Sequence, residues 1–394
     1  MKTWITGGYI YRLDKKRMER KDMCIEDGKI SGFFSPWEGT RDGEIYDAKG
    51  KYVVPGFIDL HTHGGCGIDV NAASKEDFQK IGYFFAKQGT TTWLCSILTD
   101  TEERTIACIR EVIAHKKENE NCANLLGIHL EGPFLSSQYK GAMPEFLLKK
   151  PDMGLLERYQ REAEGNIRYI TVSPEVEGIP KLIPQIREMG ITVSVGHSGA
   201  DYETSWKCIK QGARACTHTF NAMGLFHQHR PGLMGAVLES DIYCEAICDG
   251  KHLHPGTVRM LLKVKGYDRV AAVTDSIMAA GLPDGKYKLG VNDVVVEQGD
   301  AKLKATGVRA GSTLTTGQAL INFMKFTGKD LEDILPLLTI NPAKIIEEDS
   351  RIGSLEEGKD ADVVILDQKY NVTDTFVKGN KIQKEGEKIC RYYH

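Results

Sequence analysis

Eight short apolar runs, near residues 53–60, 91–98, 125–130, 167–172, 191–196, 214–218, 243–248 and 269–274, recur through the middle of this 394-residue chain, each followed by material able to form a helix. Strands separated by helices run parallel, because a tight hairpin cannot bring the chain back to the same end of a sheet. Such units are expected to close into a (β/α)8 TIM-like barrel, an α/β fold. A barrel of roughly 250 residues leaves enough chain for a smaller companion.

The helical stretches carry their own signals. After the first run, Ser74 and Asp77 fit a capping box, Phe78, Ile81, Phe84 and Phe85 recur at helical spacing, and Gly89 ends the pattern. The next helix repeats this with Ile106, Ile109, Val112 and Ile113; His115 falls in its last turn and reads as a solvated helix-end residue. Long connections, 132–163 and 276–311, follow the third and eighth runs. On a barrel such connections lie on the catalytic face, so both are expected to shape a substrate pocket.

Outside residues 55–355, the expected barrel, the style changes. Residues 1–54 read as short strands and turns, with Asp27-Gly28 as a hairpin signal, and 356–394 repeats that style at 361–366 and 375–382. The two ends are expected to build one small composite β-sandwich domain.

A net charge of −3 excludes the concentrated basic surface that nucleic-acid binding needs. No stretch approaches the roughly 18 apolar residues of a membrane span, and the start lacks a long apolar leader, so a cytoplasmic protein is expected. The ten cysteines include no C-x-x-C pair and read as reduced, buried thiols, with Cys66, just after a histidine pair, the one to watch. Neither H-E-x-x-H nor a P-loop pattern occurs, and Gly64-Gly65-Cys66-Gly67 reads as a tight βα turn.

The chemistry sits at the C-terminal ends of five runs: His61-Thr62-His63, Glu131, His197, His218 and Asp275. Side chains alternate along a strand, so His61 and His63 face the same way and can grip one ion together. Parallel strands bring all their C-terminal ends to one mouth, so residues far apart in sequence converge there. Four imidazoles and two carboxylates in that placement point to a centre for one or two divalent metal ions. His129, two residues before Glu131, is either an added ligand or inward-facing support. The donor set suits zinc first, with iron, manganese and cobalt as alternatives.

These residues lie in longer motifs: Pro55-Gly56-Phe57-Ile58-Asp59-Leu60-His61-Thr62-His63, His129-Leu130-Glu131-Gly132-Pro133-Phe134, Gly196-His197-Ser198, Thr217-His218-Thr219-Phe220-Asn221-Ala222-Met223, Asp249-Gly250-Lys251-His252 and Thr274-Asp275-Ser276. In that order they resemble the N-acetylglucosamine-6-phosphate deacetylases of the amidohydrolase superfamily. The resemblance implies Glu131, His197 and His218 as principal metal ligands, with the H-x-H pair completing a second site and Glu131 bridging. Related superfamily members use a carboxylated lysine, and the fourth run, Ile170-Thr171-Val172-Ser173-Pro174, has none. It also implies metal-assisted amide hydrolysis in which Asp275 takes a proton from the attacking water and passes it to the departing amine. Asn221 and Ala222 would contact the phosphate, His252 the sugar, and a homodimer is implied.

The sequence departs from that pattern in its pocket. In Lys140-Gly141-Ala142-Met143-Pro144, Met143 stands where a substrate-binding histidine is usual, and a thioether cannot donate a hydrogen bond. After the N-A-M motif, His229 and Arg230 occupy the places of an arginine and a glutamate, and Arg309 stands where an apolar residue is expected. The expected substrate surface is therefore Ala142, Met143, Asn221, Ala222, His229, Arg230, His252 and Arg309, with His229 and Arg309 recasting the anion site. Hydrolysis of N-acetylglucosamine 6-phosphate or its galactosamine epimer is the leading expectation. Another N-acyl compound, an unphosphorylated amino sugar, or a barrel that binds sugar without turnover are the alternatives.

Overall fold

The computed structural model describes residues 2–36, 41–118 and 120–383. At its centre the strands Phe57–Thr62, Thr90–Leu98, Asn124–Glu131, Ile167–Val172, Thr192–Val195, Ala215–Cys216, Tyr243–Ala246 and Val270–Ala272 lie side by side in chain order, every neighbouring pair parallel. The eighth then meets the first. His63 N–H donates to Ser276 O at 2.7 Å and Asp275 N–H to His61 O at 2.8 Å. Below them the buried Asp59 accepts from Thr274 N–H at 3.2 Å and from Thr274 Oγ1 at 2.6 Å. A carboxylate in the first strand thus clasps the seam of the cylinder.

The run 53–60 is not one strand, which corrects the expectation. Tyr52–Pro55 pairs in a different sheet, and the barrel strand begins at Phe57. Gly56 makes the step between them, its N–H donating to Asp362 O at 2.9 Å. A Cβ there would lie 2.0 Å from Thr91 Oγ1, so no larger residue fits the close approach. The sixth strand is shorter than expected, Ala215–Cys216, because His218 leaves the extended conformation at φ 26°.

Helices connect the strands on the outside. Lys75–Lys87 opens on the Ser74/Asp77 capping box and buries Phe78, Ile81 and Phe85. Gly89 follows at φ +88°, where a Cβ would press to 2.7 Å from the Phe57 ring. Glu102–Glu118 buries Ile109, Val112 and Ile113. His115 is buried with them, not solvated: its ring lies 6.1 Å from that of Phe78, and Nε2 has no hydrogen-bond partner among the described residues. The last turn tucks against the first helix there, and burial pushes the imidazole below its usual basicity.

Strands from both chain ends form two further sheets. Lys2–Thr6, Asp22–Glu26, Lys29–Phe34 and Glu44–Asp47 make one of four strands; Tyr9–Arg12, Arg17–Arg20, Tyr52–Pro55, Val363–Leu366, Val372–Val377 and Asn380–Lys381 make one of six. Ile5, Ile25, Val53, Val363 and Phe376 belong to the apolar core between them. The hairpin at Asp27 and Gly28 has φ 48° and 78°, the pair of left-handed residues a tight two-residue turn demands. Cys390, in the stretch 384–394, lies outside the described residues.

The connection after the eighth strand builds a three-stranded antiparallel arm, Gly285–Leu289, Asn292–Glu297 and Asp300–Leu303. The loop after the third strand reaches it: Asn292 Nδ2 donates to Ala142 O at 3.0 Å. Leu98, Leu135, Met143, Ile277, Leu289 and Val296 form a separate apolar cluster where the two meet, at the rim of the barrel mouth. Among the described residues no helix is long and apolar enough to cross a membrane.

Candidate metal centre

Each candidate ligand is aimed by the strand end that carries it. His61 lies in the first strand and His63 directly follows its last residue, Thr62, while Glu131 ends the third. His197, His218 and Asp275 follow the fifth, sixth and eighth strands with φ of 48°, 26° and 49°. Non-glycine residues rarely adopt such values, so the surroundings must hold them. Ser173 Oγ donates to His197 O at 2.6 Å, His218 N–H donates to Glu245 at 3.0 Å, and Ser312 N–H donates to Asp275 O at 2.7 Å.

The six side chains converge as two buried groups, His61, His63 and Asp275, and Glu131, His197 and His218. In the first, the two Nε2 atoms are 3.1 Å apart and lie 3.6 and 3.2 Å from Asp275 Oδ1. In the second, the two Nε2 atoms are 3.0 Å apart and lie 3.0 and 3.3 Å from Glu131 Oε1. Glu131 also faces the first group, its Oε2 at 3.2 Å from His63 Nε2 and its Oε1 at 3.4 Å from His61 Nε2. One carboxylate therefore belongs to both.

These separations suit a cation. Ligands at roughly 2.0–2.1 Å from a tetrahedral ion stand about 3.3 Å from one another. Two imidazole nitrogens cannot face each other at 3.0 Å on lone pairs alone; a proton or a cation must lie between. Three of the four far ring nitrogens are occupied elsewhere, His61 Nδ1 facing Glu245 Oε2 at 3.1 Å, His63 Nδ1 donating to Ser96 O at 2.8 Å and His197 Nδ1 to Tyr139 O at 2.8 Å. Each Nε2 is left to the centre.

The electrostatics agree. Burial opposes protonating His61 and His63, yet Glu131 and Asp275 outweigh it and raise both, His63 to about 9. Burial likewise favours the neutral acids, but the facing histidines hold Glu131 and Asp275 below the usual carboxylate range. The bare cluster attracts positive charge.

His129 is support rather than a ligand. Its Nδ1 meets Ser96 Oγ at 2.8 Å and its Nε2 meets Thr171 Oγ1 at 2.9 Å, while burial keeps it far below its usual basicity. His252 Nδ1 bonds Asp249 Oδ2 at 2.7 Å, and His254 caps the helix Pro255–Lys265. Asn221 Nδ2 donates to His218 O at 3.1 Å, and Ala222 O accepts from Ser198 N–H at 3.1 Å, so both sit on the loop that leaves a ligand. His229 and Arg230 are exposed in the turn that follows. Met143 faces the apolar cluster under the arm and is 3% exposed. Arg309 holds Asp300 through two hydrogen bonds, 2.7 and 3.0 Å. Cys66 is half-buried, and burial pushes its thiol up to about 11, so it is not a ready nucleophile.

Sequence reasoning passed over the buried residues behind the ligands: Asp59, Ser96, Tyr169 and Glu245. A charged residue inside an otherwise apolar strand, as in Phe57-Ile58-Asp59-Leu60 or Tyr243-Cys244-Glu245-Ala246, was the available signal.

An amidohydrolase family model matches residues 52–382. The N-acetylglucosamine-6-phosphate deacetylase of Lysinibacillus sphaericus is 34% identical over 364 residues, 92% of this chain and 93% of that protein. The N-acetylgalactosamine-6-phosphate deacetylase of Escherichia coli O157:H7 is 30% identical over 365 residues, 92% of this chain and 94% of that protein. Among solved structures, the N-acetylglucosamine-6-phosphate deacetylase from Pasteurella multocida superposes with a TM-score of 0.91 at 30% identity, covering 97% of this chain and 99% of that one.

Proposed function

This chain belongs to the amidohydrolase family, and from that premise we propose that it hydrolyses the acetamide of N-acetylglucosamine 6-phosphate or its galactosamine epimer, releasing acetate and the amino sugar phosphate. The observation that carries this reading is the pair of buried ligand groups sharing Glu131 at the barrel mouth. His61, His63 and Asp275 would hold one ion and Glu131, His197 and His218 the other, with zinc the first choice. When bound, the ions lower the pKa of water toward ~7 and polarise the acetyl carbonyl.

The chain's own groups supply the rest. Asp275 accepts the proton of the attacking water and delivers it to the nitrogen of the departing sugar amine, a task for one carboxylate that changes protonation state during turnover. The burial of all six side chains keeps bulk water from competing. The phosphate end is assigned to the loop carrying Asn221, Ala222, His229 and Arg230. Arg309 contributes as half of an ion pair, since Asp300 already matches its charge. Asp249 fixes the Nδ1–H of His252, leaving Nε2 for a sugar hydroxyl. Ala142 and Met143 line the wall under the arm, where Met143 makes an apolar contact in place of a donor.

A cytoplasmic homodimer fits this assignment, in keeping with the unpaired state of every described cysteine. Acetate release from phosphorylated and free N-acetylglucosamine, N-acetylgalactosamine and N-acetylmannosamine tests the proposal. Turnover of phosphorylated gluco or galacto substrates upholds it; release from free sugars alone moves the assignment to an unphosphorylated amino sugar. No release from any of them, with metal bound, would leave a sugar-binding barrel.

A further inference from the structure

Glu245 sits in the seventh barrel strand, fully buried, and belongs to neither ligand group. Its Oε2 faces His61 Nδ1 at 3.1 Å and accepts the backbone N–H of His218 at 3.0 Å. Its Oε1 accepts the Tyr169 hydroxyl at 2.7 Å. One carboxylate therefore touches a ring in the first group and the main chain of a ligand in the second.

The ring contact determines a tautomer. A carboxylate with no proton can only accept, so His61 carries a hydrogen on Nδ1, and in its neutral form it presents the Nε2 lone pair toward His63 and Asp275. The other tautomer would set two acceptors against each other at 3.1 Å and place a hydrogen among the ligand atoms. His63 and His197 are held differently, each through Nδ1 to a neutral backbone carbonyl, and His218 Nδ1 has no partner among the described residues. Among the described residues, only His61 of the four imidazoles has its Nδ1 on a carboxylate. A charged acceptor orients and enriches a ligand more strongly than a neutral one.

We propose that Glu245 is the positioning residue for the His61, His63 and Asp275 site, making that site bind its ion tightly, while the Glu131, His197 and His218 site depends on it much less. The proposal rests on the two-ion reading given above. Glu245→Gln tests it, because an amide with oxygen toward His61 and His218 keeps the shape and both of those bonds and removes the charge, while its nitrogen reverses the bond to Tyr169, whose oxygen then accepts.

The test is titration of metal-free protein with cobalt(II), following absorbance and calorimetry to resolve two equivalents, with melting curves to check folding. In Glu245→Gln one of the two equivalents should lose about 10- to 100-fold in affinity while the other changes by less than roughly threefold. Glu245→Asp should recover part of the loss. Tyr169→Phe, which removes one donor to Glu245, should weaken the same equivalent by only a few fold and serves if Glu245→Gln does not fold. Two equivalents both unchanged in Glu245→Gln, or both weakened equally, would overturn the proposal while leaving the two-ion reading intact. A parent protein that takes up one equivalent only would overturn that reading, and the proposal with it.

Discussion

His63 Nε2 stands 3.2 Å from Asp275 Oδ1, across the seam where the last strand of the barrel meets the first. The residue assigned to proton transfer is therefore also held by the closure of the fold. Asp275→Asn keeps the shape but cannot take up a proton. Acetate release should fall by ~10²–10⁴-fold in kcat with KM changed little, the range typical of a lost general base. Near-parent kcat in a metal-replete Asp275→Asn protein would contradict the assignment.

Glu131 turns its carboxylate toward the ligand nitrogens of both groups, so Glu131→Ala should release both ions rather than one. Metal analysis after gel filtration is expected to show well under one equivalent, with kcat/KM down ~10³-fold or more. A variant that retained one full equivalent would show that the groups bind independently.

Metal should also stabilise the fold. Ions that bind only the native state add about 2.7 kcal/mol when free metal is 100 times the dissociation constant. Calorimetry should show Tm falling by several degrees on chelation and recovering when zinc is restored. An unchanged Tm would argue against the buried cluster as a tight site.

Arg230 and Arg309 should differ in their effect on the phosphate. Arg230 is exposed, whereas Arg309 is paired with Asp300. Arg230→Ala is expected to raise KM for the phosphorylated sugar by about tenfold relative to the free sugar, and Arg309→Leu by only a few fold. A ratio unmoved in Arg309→Leu would remove that residue from the anion site.

Asp362 offers a pH test away from the metals. Burial pushes its carboxyl up to about 6 from 3.8, and Oδ2 has no hydrogen-bond partner among the described residues. The native state then binds the proton more tightly than the unfolded chain, so stability from this group is full below about pH 4 and is lost as pH rises through about 6. The loss amounts to at most about 3 kcal/mol. Asp362→Asn cannot ionise, and its Tm should gain on the parent steadily between pH 4 and 7. A gap between the two melting curves that stays constant over that range would show that the carboxyl does not titrate there.

The barrel, its strand order and the six candidate ligands were legible in the sequence alone. Apolar runs alternating with helical patterns admit few folds, and parallel strands carry their C-terminal ends to one mouth whatever the separation along the chain. It could not show that run 53–60 serves two sheets, because Val53, Val54, Phe57 and Ile58 are equally apolar on either side of Gly56 and the break is the close contact with Thr91. His115 was misread because burial at a helix end depends on what packs over the last turn. Which acceptor each imidazole faces was likewise beyond the sequence. Glu245, Tyr169 and Ser96 lie on other strands, and the directions that make them partners exist only once the cylinder has closed.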